Sequence, residues 1–225
     1  AAHAGEESFV GQLWDCEAGR VVTSFAGGGS PTEAFDCGPV EGSAAGLFAA
    51  AHSDGTASLW DPRLGPSSPI APPRPVTLAA SATTASAAAL AGGAARCLAF
   101  GRGAAGAQFL ATGGMDGVVR LWDIRQFSEE VHTLRWGDGS PDLGVGAISH
   151  LEWSPFHEGT LAASTDAGHV LLWDIGRIGT RLPPAEALDG PPELLFVHGG
   201  HAGEAAACVN WSPSAPWLLA SCAAP

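Results

Sequence analysis

No lysine and no tyrosine occur among the 225 residues, and methionine occurs once. The ten basic residues are therefore all arginine, set against 23 Asp plus Glu, for a formal charge of −13. An acidic chain of this kind repels polyphosphate, which argues against DNA or RNA binding by counterion release and makes a basic partner the expectation. Without lysine, Gly27-Gly28-Gly29-Ser30 cannot serve as a Walker phosphate loop, and no helix pattern follows it. Long hydrophobic runs are missing too. Stretches such as Ala85 to Leu90 are alanine-dominated and too short to cross a bilayer, and no charged n-region with a following apolar stretch opens the sequence. The expectation is a soluble, intracellular protein with no membrane partner.

Cysteine is sparse and odd in number. Cys16, Cys37, Cys97, Cys208 and Cys222 never come closer than 14 residues, so neither a disulfide framework nor a C-x-x-C metal knuckle is expected. The thiols read as reduced and mostly structural. Of the eight histidines the nearest cluster is His198-x-x-His201, which has no Cys or carboxylate at metal spacing beside it. A strand-end role for His198 and a turn role for His201 are expected. His132, His150, His157 and His169 are scattered and read as surface or packing residues. There is no Gly-x-Ser-x-Gly elbow, and Glu6-Glu7 and Glu129-Glu130 read as solvated charge on turns. No metal, no cofactor and no catalytic residues are expected, hence no enzyme.

What the sequence has in quantity is Gly (31), Pro (17) and Trp (8). Its length allows one large all-β or α/β domain or two small ones. An internal repeat decides between them. Trp-Asp pairs stand at Trp14-Asp15, Trp60-Asp61, Trp122-Asp123 and Trp173-Asp174, spaced by 46, 62 and 51 residues. Each ends a short apolar strand, and the last three follow a hairpin pattern: LFAAAHSDGTASLWD, FLATGGMDGVVRLWD and LAASTDAGHVLLWD. Asp-Gly between two β-prone runs marks a tight turn, because Gly accepts the positive φ that such turns need. Upstream lies a strand ending in an aromatic (RCLAF, ISHLEWSP, ACVNWSP), and downstream a fourth (RVVTSF, VHTLRW, ELLFVHGG).

Four antiparallel strands per repeat resemble the blade of a WD40 β-propeller, an all-β fold. The blades are expected as the end of one (1–25), three whole ones (26–80, 81–136 and 137–200) and the start of another (201–225). That makes about four of the seven usual in a WD40 ring, so an incomplete copy of a longer protein is expected. The Gly-His pair that opens a repeat is present only as Gly200-His201. The Ala-rich stretch from Ala79 to Ala95 reads as a flexible surface connection.

From about Gln108 to Ser221 the resemblance is closer. FLATGGMDGVVRLWDIR, HLEWSPFHEGTLAASTDAGHVLLWDIGRIG and above all DGPPELLFVHGGH (Asp189 to His201) are similar to the carboxy-terminal blades of the histone-binding WD40 family. Its members include the retinoblastoma-associated and Msi-type proteins, which also serve as the small subunit of chromatin assembly factor. The resemblance implies a nuclear, non-catalytic scaffold for chromatin assembly, deacetylase, acetyltransferase or Polycomb complexes, with a cytoplasmic pool. It further implies that an acidic, proline-containing loop, here Leu182 through Phe196, helps to hold the amino-terminal helix of histone H4.

The residues make a physical case beside the resemblance. Pro183-Pro184 and Pro191-Pro192 stiffen the insertion and remove donors, so it should stand out from the sheet. Glu186, Asp189 and Glu193 then offer carboxylates to a basic helix, with Gly190 in the turn and Leu194, Leu195 and Phe196 as an apolar floor. The plainer alternative is a solvated loop whose Leu and Phe belong to the next strand. Leu188 stands where the family tends to be acidic. For the family's second site, which takes the histone H3 tail on the flat face, Glu33 is a candidate acid. Ala147 and Ser149 replace the acid and aromatic expected there, and Arg96 has the wrong sign, so the H3 tail is the weaker partner inference. Two rival readings are a WD40 adaptor outside chromatin, in ribosome assembly or as a ubiquitin-ligase substrate receptor, and a truncated copy without binding activity.

Overall fold

The computed structural model describes residues 9–26, 31–38, 46–53, 56–61, 76–77, 95–101, 108–125, 130–136, 145–183, 190–201 and 204–223. Sixteen strands fall within them. β1 (Phe9–Asp15) pairs with β2 (Arg20–Ala26). Three four-stranded antiparallel sheets follow. The first is β3 (Thr32–Cys37), β4 (Phe48–His52), β5 (Thr56–Trp60) and β6 (Val76–Thr77). The second is β7 (Ala95–Phe100), β8 (Phe109–Gly114), β9 (Val119–Asp123) and β10 (Glu130–Leu134). The third is β11 (Ile148–Trp153), β12 (Thr160–Thr165), β13 (Val170–Asp174) and β14 (Leu194–His198). Finally β15 (Ala206–Trp211) pairs with β16 (Leu219–Ala223). Strand order within each sheet is sequence order, the up-and-down meander of a propeller blade. Among the described residues the one helical element is a 3-10 turn at Ile175–Arg177, and no helix is long and apolar enough to cross a membrane.

The second strand of each four-stranded sheet is covered on both faces, and its sequence is mostly small and apolar for that reason. All of β12 is buried, as are Ala49, Ala50 and Ala51 of β4 and Leu110 and Ala111 of β8. At Gly113 a side chain would meet Ile148 Cγ2 at 2.5 Å and Cys97 Sγ at 2.6 Å, so the next blade packs directly on bare backbone there. The Asp-Gly hairpin forms as its residues require. Gly117 sits at φ +72, Val118 N–H donates to Asp116 Oδ1 at 3.2 Å, and Gly114 N–H donates to Val118 O at 3.1 Å.

Successive sheets pack through their first strands: β7 on β3 and β4, β11 on β7 and β8, β15 on β11 and β12. The largest apolar cluster crosses one such seam, with Cys97, Ala111, Leu121 and Leu134 of one sheet against Ile148, Leu151, Leu161 and Trp173 of the next. Polar bonds recur at the same level of each seam. Asp36 Oδ2 accepts Phe100 N–H at 2.9 Å, and Glu152 Oε2 accepts Trp211 N–H at 2.7 Å. Ala99 stands in the place of those acids, and there the Trp153 indole donates to the Ala99 carbonyl at 3.1 Å. The four first strands curve around a cavity of about 220 Å³ lined by Phe35, Asp36, Phe100, His150, Glu152 and Asn210. The all-β propeller architecture expected from the Trp-Asp repeat is thus the one the chain adopts.

Candidate functional site

The Trp-Asp residues do structural work. Trp60, Trp122 and Trp173 are buried, whereas Trp14, on β1, is 56% exposed. The Asp of a pair turns the chain out of its strand. Asp15 Oδ1 accepts the amides of Glu17 and Ala18, Asp123 Oδ1 that of Arg125 and Asp174 Oδ1 that of Gly176, at 2.9–3.1 Å. Arg125 also grips the Asp123 carboxylate at 2.7 Å and, chiefly through that bond, holds its pKa below the ordinary range. Asp61 is buried beside Trp60. His201 lies in a turn, with its Nε2 2.9 Å from Ser221 Oγ.

The insertion leaves the third four-stranded sheet at Asp174 and returns at Glu193, and its neck is closed by the backbone. Asp174 N–H donates to the Glu193 carbonyl at 2.8 Å, and Leu194 N–H to the Pro191 carbonyl at 3.0 Å. Gly190 enters the neck at φ +144, in contact range of Leu194, and Pro191 and Pro192 are half-buried. Glu186 and Asp189 lie outside the described residues.

Glu193 does not sit on an open lip. It is 7% exposed, and its Oε1 lies 3.2 Å from Nε2 of His132 on β10 of the preceding sheet. A carboxylate only accepts, so the imidazole proton must be on Nε2. Leu194, Leu195 and Phe196 belong to β14, where Leu194 faces Trp173 and Phe196 faces Leu172. The two leucines are half-buried, and Phe196 is 54% exposed and stacked on His198 at 6.4 Å. The structure therefore brings Glu193 and the apolar trio to one neck and adds His132, which the sequence had left among packing residues. Nothing local could have singled it out, because its partner is 61 residues away.

On the opposite side of the reading, Glu33 is exposed on β3. Arg96, of unexpected sign, pairs at 3.7 Å with Asp166, whose other oxygen accepts Ala147 N–H at 2.6 Å. Arg96 thereby ties two sheets together.

Known proteins bear on the repeat and on the family. The WD domain, G-beta repeat, matches residues 95–123. "Histone acetyltransferase type B subunit 2" of Debaryomyces hansenii is 33% identical over 121 residues, covering 51% of this chain and 27% of that protein. Its namesake in Candida glabrata is 32% identical over 111 residues, 49% of this chain and 25% of that one. "RbAp48-related WD40 repeat-containing protein prw1" of Schizosaccharomyces pombe is 39% identical over 114 residues, 51% of this chain and 25% of the relative. The matches thus span about a quarter of each relative's length. With the repeat, its blades and these relatives in hand, the chain carries a WD40 repeat and is similar, over about half its length, to subunits named for histone acetyltransferase and to an RbAp48-related WD40 protein.

Proposed function

We propose that the chain is a non-catalytic scaffold of nuclear chromatin complexes and that its acidic proline insertion holds the first helix of histone H4. The observation that carries this reading is the insertion itself. A proline-stiffened excursion bearing Glu186 and Asp189 is pinned at its neck to two sheets, in a chain similar to subunits named for histone acetyltransferase. Preorganisation matters because an insertion whose neck is already fixed loses less entropy on binding. Each Arg of a basic helix that meets Glu186 or Asp189 gains a charge-assisted bond of about 1.5–3 kcal/mol. The exposed Phe196 ring beside the neck supplies apolar contact for the helix's other face. Glu193 serves from behind, as the anchor that His132 holds. A formal charge of −13 adds long-range attraction for a basic partner.

Histone H4 retained on the immobilised chain, and lost when Asp189→Arg reverses one charge of the arm, is the expected outcome of a pull-down. Equal retention by both proteins overturns the reading.

A further inference from the structure

All five thiols are free, and their positions differ in one respect. Cys97 is buried, its thiol pushed up to about 12 mainly by that burial, and it faces Gly113. Cys37 is exposed and faces Phe48, and Cys16 lies in the turn after β1. Cys208 on β15, by contrast, stands directly across the antiparallel ladder from Cys222 on β16. Facing residues of such a ladder have Cα atoms about 4.5–5.5 Å apart, within the roughly 4.4–6.8 Å that a disulfide spans. The Cys208 thiol reaches Asn210 Oδ1 at 3.1 Å. Cys222 is exposed and Cys208 half-buried. Burial first, then the neighbouring Cys222 and Glu152, push the Cys208 thiol up, so the exposed partner is the one that meets a reagent.

The geometry points to Cys208 and Cys222 as a redox-active dithiol that closes to a cross-strand disulfide by exchange with a small disulfide such as oxidised glutathione. The Cys222 thiolate attacks one glutathione sulfur, forming a mixed disulfide and releasing a glutathione thiolate that takes up the proton lost by Cys222. Cys208, giving its proton to the medium, then attacks the Cys222 sulfur. The second glutathione leaves as thiolate and is protonated in turn. Two thiols become one disulfide, two electrons pass to the reagent, and two glutathione thiols are formed. Because β15 carries the Glu152 bonds of the last seam, the new bond fastens β16 to a strand that is already anchored. A ladder position that joins two cysteines occurs once among the described residues, and this makes the closure selective.

The test is incubation of the folded chain with oxidised glutathione. Digestion with chymotrypsin then cuts after Trp211, between the two cysteines, and mass spectrometry follows. The expected product is a Cys208–Cys222 cross-link, two hydrogen atoms lighter than the dithiol and reversed by dithiothreitol. Cys16 and Cys37 should carry only glutathione, and Cys208→Ser should leave a lasting glutathione adduct on Cys222. A native chain that keeps glutathione on Cys222 and forms no internal bond overturns the proposal.

Discussion

Trp122 and Trp173 occupy the same place in successive sheets, yet only one indole is satisfied. Trp122 Nε1 donates to Thr112 Oγ1 at 2.9 Å, while the Trp173 indole N–H, on a residue 1% exposed, has no acceptor. Lining up β8 with β12 explains the difference, because the residue two beyond the Leu that faces each Trp is Thr112 in one and Ala163 in the other. A buried donor without a partner costs about 1–3 kcal/mol. Ala163→Ser should supply the missing oxygen, stabilise the chain by about 1 kcal/mol and raise Tm by roughly 2–4 °C in scanning calorimetry. An unchanged or lowered Tm would contradict this account of the orphan. The Trp and Asp positions were legible in the sequence because each is a local repeat feature. The partner of Trp173 was legible only by comparison of two strands, as an absence.

At the scale of strands, β10 does two jobs toward the next sheet. His132 holds Glu193 at the neck of the insertion, and just beyond the strand Trp136 packs edge-on against His169 at 4.7 Å. His132→Leu leaves the Glu193 carboxylate buried without a donor and should cost about 1–3 kcal/mol in denaturant unfolding. His132→Gln, which keeps an N–H, should recover most of it, and equal losses in both variants would count against a donor role. His169 gives the seam a pH response. Burial lowers its pKa below the ordinary 6.5, so the unfolded chain binds the proton more readily. Its contribution is complete above 6.5 and is lost as pH falls through the depressed folded value. Between about pH 7.5 and pH 5, stability should fall less steeply in His169→Phe than in the native chain. Identical slopes would remove His169 from the account.

The hairpins were readable beforehand because Asp116-Gly117 and its kin fix a turn from within four residues. The seams were not. Asp36 meets Phe100 and Glu152 meets Trp211 across 64 and 59 residues, and no spacing rule carries that distance. Glu193 shows what this costs in practice. It looked like one more acid on an open loop, and its burial became visible only with β10 laid beside it.

For the whole molecule, the repeat predicts the architecture, since four alternating strands cannot bury their faces alone and must stack on a neighbour. Function does not follow from stacking. The proposed function rests instead on an acidic insertion whose neck is hydrogen-bonded to its sheet, in a chain similar to relatives named for histone acetyltransferase. The measurement that bears most directly on this reading is a calorimetric titration of a peptide spanning the first helix of histone H4 into the folded chain, beside its Asp189→Arg variant. The expected result is saturable binding that weakens as salt is raised and falls at least about tenfold on charge reversal. Equal heats for the two proteins, or no binding by a native chain whose circular dichroism shows an intact β fold, would contradict it.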